Sequence, residues 1–501
     1  MLAWSLFALY LVATSWLGWL GYRRTQGFDS FAIGDGQMHP LVVGITLAAS
    51  TASAATFIIN PGFVYVDGFS AWFHLVPGLV LGFCTMLAIL SFRFRRIGAA
   101  SGALTIPDWI GKRYRSAGFA LYFSLLTLLS FAFVVLLVGG ISIVMQSLLG
   151  LTNVQALAIT LVFVTGYVLL GGTYAHVLTN MLQGSLMIGV TLLVLGSCIA
   201  VVLGQETDAI AQLNAASPGL LAAINPDGLL FNDVFSIYVA GFVIGAVLVC
   251  QPHILTKALY VKDDRAVRDY LLIFGGVFSA FALLVTVGFV AHLVVPEADL
   301  IDNATGALRQ DLVMTVYLKT VFPEWVFTVI AVVLLAAAMS TLDGLLVSLA
   351  TITANDLSLN LIPAAKRNLL SREQQMRFTL RMSHGVLIAI AVGAFVINLA
   401  PPERLGIFGQ VGVYGLAVAA APPLLAGVLF GHPRLAPVWL ASVFALAVHF
   451  GLYFFGASLF PDSTLSFGNP GVTAAIASLI AIPGILLTGH LAGWNQEPAA
   501  G

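Results

Sequence analysis

Long apolar runs separated by short polar loops dominate the sequence. A bilayer span takes about 20 mostly apolar residues, and thirteen such runs are centred near residues 11, 50, 82, 133, 161, 189, 245, 282, 338, 389, 419, 446 and 480. The runs are too long for barrel strands and do not alternate, so the pattern predicts an all-α polytopic membrane protein. Two runs carry interruptions. The second, Pro40 to Ile59, crowds Ser50, Thr51, Ser53 and Thr56 among alanines at its midpoint and is followed by Asn60-Pro61-Gly62. The ninth contains Ala336 to Asp343, AAAMSTLD, which puts the adjacent hydroxyls Ser340 and Thr341 inside an apolar span.

Composition agrees with a bilayer as solvent. Mean hydropathy is +1.00 and only 9% of residues are charged, against roughly a quarter in soluble domains. Lys and Arg set the orientation. With the N-terminus out and the C-terminus in, 18 of the 21 basic residues fall in inner loops, and only Arg309, Lys319 and Arg404 fall outside. That count includes Lys257 among the inner-loop cations and leaves no intramembrane Lys or Arg. The net charge of −1 and the absence of a basic stripe point away from nucleic acid. The first run lacks a charged leader and cleavage site, so it reads as a retained span. Scattered histidines, with no HExxH spacing and no phosphate-binding glycine loop, argue against an enzyme.

Small polar residues in a span admit two readings. Ala, Ser and Thr let membrane helices pack closely, and their hydroxyls often bond back to the carbonyl one turn earlier. They also occur where a helix unwinds and its freed carbonyls face a cavity.

Five motifs in order decide which family the chain resembles: Ser53-Ala54-Ala55-Thr56-Phe57 leading to Pro61-Gly62 and Asp67-Gly68; Leu104-Thr105-Ile106-Pro107-Asp108; Gly171-Gly172 with Thr179-Asn180 and Gln183; Gln251-Pro252-His253; and Ala337-Ala338-Met339-Ser340-Thr341. Together they resemble the sodium:solute symporters, nearest in motif to the pantothenate and proline permease branches. The resemblance implies a leucine-transporter-like 5+5 inverted repeat with thirteen helices in a single membrane domain spanning 1–501. Residues 1–39 would be a peripheral helix and loop, 40–203 and 234–431 the two repeats, and 432–501 peripheral C-terminal helices, with the second and seventh spans broken. It further implies a sodium-coupled importer of a small organic solute, such as a carboxylate, an amino acid or a pantothenate-like molecule, working by alternating access as a monomer in the plasma (inner) membrane. A proton-coupled or uncoupled transporter of the same fold, or a transporter-like sensor, is the alternative.

Carried over residue by residue, the Na⁺ ligands would be the carbonyls of Ala49, Ala52 and Ala337 and the hydroxyls of Ser340 and Thr341. Residues 337, 340 and 341 share one helical face, and neutral oxygens hold a monovalent cation without stranding a buried anion. Many relatives carry Asp where this chain has Asn180. Asp343, one turn beyond Ser340, either replaces that carboxylate in a second cation path with Asn180 or is solvated in the inner vestibule. The solute would meet Thr51, Ser53 and Thr56 beside the break, with His74, Tyr238, Phe242 and Gln410 around them; each is equally at home as packing.

Overall fold

The computed structural model describes residues 2–53, 55–217, 219–301, 306–358, 372–402 and 405–495. Lys366, Arg367 and Arg404 of the charge count lie outside them. Among the described residues the chain is helical, apart from one β-bridge between Ile301 and Leu308. Ten helices are long and apolar enough to cross a membrane, and two bent pairs bring the number to twelve if each pair is one span.

The bent pairs fall on the second and seventh predicted runs. Pro40–Thr51 meets Ala55–Asp67 at 59°, and Phe235–Leu248 meets Pro252–Tyr260 at 64°. Local chemistry explains both breaks. Helix Pro40–Thr51 starts with Pro40 in its first turn, capped by the His39 ring, which accepts from the Leu41 amide, and it ends where Ala52 leaves helical conformation at φ −81°, ψ 84°. In the second pair Pro252 has no N–H to continue a helix and forces Gln251 into extended backbone at φ −70°, ψ 141°.

Four helices position the site: α1 (Leu2–Arg24), α2 (Pro40–Thr51), α3 (Asn153–Leu203) and α4 (Glu324–Ile352). Helix α4 is central, and α2, α3 and the second half of the later bent pair, Pro252–Tyr260, all pack on it. The best apolar window of α4 is 78% buried, whereas those of α1 and Leu435–Leu459 are 22% buried and leave their large apolar side chains on the outside.

The fifth and sixth predicted runs are not separated by a loop. They meet at Gly172, whose φ of 50° and ψ of −135° bend the 51-residue α3 sharply. A Cβ at Gly172 would strike the ring of Phe31, so the Gly171-Gly172 motif is a joint. Other motifs are also scaffold. The Thr105 hydroxyl accepts from the Asp108 amide at 3.0 Å to cap helix Ile106–Tyr114 and donates to Asp356 at 2.6 Å. Asp67 accepts the Leu229 and Leu230 amides and anchors the loop above it, while Gly68 sits at φ +65° against the Leu220 carbonyl. From the Gly172 geometry, Gly172→Ala is expected to destabilise the protein by about 2 kcal/mol or more, through φ strain and overpacking together. A thermal melt of purified protein checks this, and an unchanged midpoint would contradict the kink assignment.

Candidate functional site

The bend after α2 frees backbone carbonyls in the interior. In a continuous helix the Ser53 amide would bond the Ala49 carbonyl; here it turns to Thr51 at 3.1 Å. The Ala49 carbonyl accepts instead from the Ser340 hydroxyl of α4 at 2.8 Å, and the same hydroxyl lies 2.7 Å from the Ala337 carbonyl. The neighbouring Thr341 hydroxyl is buried and has no hydrogen-bond partner among the described residues. An orphaned buried hydroxyl is costly unless something else uses its lone pairs. Ala49, Ala52 and Ala337, like Ser340 and Thr341, are almost wholly shielded from solvent. The break therefore gathers neutral oxygens of the kind that hold a dehydrated monovalent cation.

Behind this cluster lies a buried polar network that the sequence reading only partly foresaw. Asn180 donates through its amide nitrogen to the Ser50 hydroxyl at 3.1 Å and to the Ser340 carbonyl at 3.2 Å. Asp343 is fully buried and accepts from Tyr167 at 2.9 Å, Thr179 at 3.2 Å and His176 Nδ1 at 2.9 Å. His176 Nδ1 is also 2.9 Å from the Asn180 amide nitrogen. An ionised carboxylate only accepts, so the Nδ1 proton belongs to Asp343, and both Asn180 N–H bonds remain for Ser50 and Ser340.

Two expectations need correction. Asp343 is not solvated in an inner vestibule: a carboxylate sunk in the bundle needs donors, and α3 supplies three. Lys257 is not an inner-loop cation. The helix bends at Gln251-Pro252 rather than ending, and it carries Lys257 into the bundle, where Nζ is fully buried and donates to Ser50 at 3.1 Å and to the His253 carbonyl at 2.7 Å. The chain therefore does hold an intramembrane cation. Tyr167, Thr179, His176 and Lys257 all went unassigned. A usable signal was the spacing of His176, Thr179, Asn180 and Gln183, which places polar groups on one face of an otherwise apolar helix.

A cavity of about 130 Å³ opens beside the break. Thr51, Ser53, Thr56, His74 and Gln410 all line it, as do Gln251 and His253. The His74 Nδ1 donates to the Ser236 carbonyl at 2.7 Å, which leaves Nε2 as its free nitrogen. Tyr238 and Phe242 are not brought together with the others. They are 39% and 41% exposed, do not line the cavity, and Tyr238 donates to the Ala223 carbonyl at 3.2 Å.

Both the sequence and the fold have known relatives. The family model described as "Sodium:solute symporter family" matches residues 31–432. The chain is 29% identical over 392 residues to the sodium/pantothenate symporter of Haemophilus influenzae, covering 76% of each chain. It is 24% identical over 438 residues to the sodium/proline symporter of Escherichia coli, covering 85% of this chain and 82% of the other. A solved Na⁺-coupled sialic acid symporter in a substrate-bound outward-open state superposes with a TM-score of 0.74 at 16% identity, over 97% of this chain and 98% of that one, a likeness of fold.

The network generates a prediction for its carboxylate. Asp343→Asn keeps the shape but turns one acceptor into an NH2 group that faces either His176 or the Tyr167 and Thr179 hydroxyls, so it is expected to destabilise the protein by about 2–4 kcal/mol. The thermal midpoint of purified protein reads this, and a midpoint equal to wild type would mean that Asp343 is not held by Tyr167, Thr179 and His176.

Proposed function

We propose that this chain, which belongs to the sodium:solute symporter family, imports a small organic solute together with sodium by alternating access. It is an integral multi-pass membrane transporter and not an enzyme. The observation that carries the sodium reading is the orphaned Thr341 hydroxyl next to Ser340, whose own hydroxyl reaches a carbonyl that the break at Ala52 has freed. The proposed ligands are the carbonyls of Ala49, Ala52 and Ala337 and the hydroxyls of Ser340 and Thr341. Sodium would bind these oxygens from the outside, where it is concentrated. Coupling requires that it bind the outward-facing state better than the inward-facing one, since a ligand indifferent to the two states shifts nothing.

The solute is a small carboxylate, with amino acids and pantothenate-like molecules in that class. Two features support it: the relatives this chain resembles are pantothenate and proline symporters, and the wall of the cavity beside the break carries the Ser53 and Thr56 hydroxyls. Thr51, Ser53, Thr56, His74 and Gln410 would orient the molecule. The thirteen-span arrangement with the N-terminus out, and the repeats at 40–203 and 234–431, belong to the same reading.

The test is uptake of radiolabelled pantothenate by proteoliposomes. Uptake is expected only with an inward sodium gradient, and full uptake with choline in place of sodium overturns the coupling. Ser340→Ala and Thr341→Ala are each expected to raise the half-saturating sodium concentration by roughly tenfold or more, the scale of losing one oxygen ligand worth about 1.4 kcal/mol.

A further inference from the structure

The sodium reading leaves one buried charge without a task. Lys257 is fully buried, and among the described residues its ammonium has no carboxylate within ion-pairing distance; both of its partners, the Ser50 hydroxyl and the His253 carbonyl, are neutral. A lone ammonium is expensive to hold inside a bilayer and is rarely kept without use. Its position is specific. Ser50 follows Ala49 directly, and the Ser50 oxygen spends its own proton on the Thr46 carbonyl at 2.8 Å while accepting from both Lys257 and Asn180. Asn180 in turn holds the Ser340 carbonyl. Lys257 is thus one hydroxyl away from the backbone that carries the proposed sodium ligands. Two acceptors on the helices around the break are without partners among the described residues: Asn180 Oδ1 and Thr341 Oγ1.

The charged and titratable groups around Lys257 are few. His253 is on its own helix segment, His176 is on α3, and Asp343 is on α4, where it is saturated by Tyr167, Thr179 and His176. With Lys257 protonated, Asp343 ionised and the imidazoles neutral, the cluster sums to zero. Sodium raises it to plus one, in a medium where like charges repel far more strongly than in water.

We infer that Lys257 is a tethered cation that weakens sodium binding and neutralises the emptied site, so that the unloaded transporter can return outward. With Lys257 in place, sodium meets a neighbouring positive charge and leaves readily once the site faces the inside, where sodium is scarce. After sodium has gone, the ammonium balances Asp343, and the interior that must change shape carries no net charge. Without the ammonium, Asp343 would be uncompensated after each release. Sodium would then be held too tightly, and the return step would move a buried anion. Lys257 contacts neither the proposed ion nor the solute, so its role is a positioning one. The inference rests on the sodium reading above.

The variants Lys257→Met, which keeps the bulk and removes the charge, and Lys257→Arg, which keeps the charge, test it. Equilibrium binding of ²²Na⁺ to the purified full-length protein is expected to be at least tenfold tighter in Lys257→Met and within about twofold of wild type in Lys257→Arg. In proteoliposomes, Lys257→Met is expected to keep pantothenate counterflow, which cycles only the loaded transporter, and to lose at least nine-tenths of net uptake, which needs the empty return. Lys257→Arg is expected to keep both. A merely structural lysine would move counterflow and net uptake together. Unchanged or weaker sodium binding in Lys257→Met, joint loss of counterflow and net uptake, or an Arg variant that behaves like Met overturns the inference. Failure of wild type to bind ²²Na⁺ overturns the sodium reading itself and is a separate result.

Discussion

Everything in this molecule depends on one bilayer constraint: a backbone group freed in the interior must find a partner there. Breaking α2 after Thr51 releases the Ala49 carbonyl in the buried interior. Helix α4 answers with Ser340, whose hydroxyl reaches across to that carbonyl. The contact works only because the residues around it are small. Ala48, Ala49, Ala52, Ala336, Ala337 and Ala338 are all fully buried, and larger side chains would hold the two backbones too far apart. The same alanines that look uninformative in composition set the distance at which the Ser340 hydroxyl meets the freed Ala49 carbonyl.

Support for this contact comes from the surrounding helices in layers. Asn180 grips α4 at the Ser340 carbonyl and α2 at the Ser50 hydroxyl, and so ties both walls of the site to α3. Farther back, Asp343 draws three α3 donors onto α4. Even α1 contributes, since Tyr10 donates to the Met339 sulfur at 3.4 Å and accepts from Gln183 at 2.8 Å. A helix expected at the periphery therefore buries Phe7 and Tyr10 directly behind the site while its outer face stays exposed. Carboxylate, imidazole, phenol and amides joined in one hydrogen-bonded network fix relative helix positions more sharply than apolar packing does.

Much of this was legible in the sequence, for physical reasons. Spans are legible because hydrocarbon thickness demands length and apolarity together, and the breaks are legible because Pro252 and the small polar residues of 48–56 cannot extend a regular apolar helix. Ser340 and Thr341 stand out as adjacent hydroxyls in an otherwise apolar run. Lys257 was hidden by the same logic that found the spans: a basic residue just past an apolar run reads as loop, and only the 64° bend shows that the run continues beyond Pro252. The α3 joint was hidden too, since two apolar runs with Gly171-Gly172 between them look like two spans with a turn, whereas Gly172 bends the chain with no intervening loop. Tyr238 and Phe242 were placed by analogy of span number, and one register position on a helix decides whether a side chain faces a cavity or the outside.

The division of labour between Asp343 and Asn180 follows from charge rather than from shape. A carboxylate in contact with the freed carbonyls would bind a cation strongly and release it slowly. Here the position beside Ser50 and Ser340 is an amide, which donates and carries no charge, while the carboxylate sits one turn along α4 behind three donors. The anion's field still reaches the oxygen cluster through low-dielectric protein, but its lone pairs are already committed. Lys257 reaches α2 at Ser50, the residue that Asn180 also holds. The oxygen cluster thus has a carboxylate one turn along α4 and an amine one hydroxyl away, and neither takes one of its oxygens.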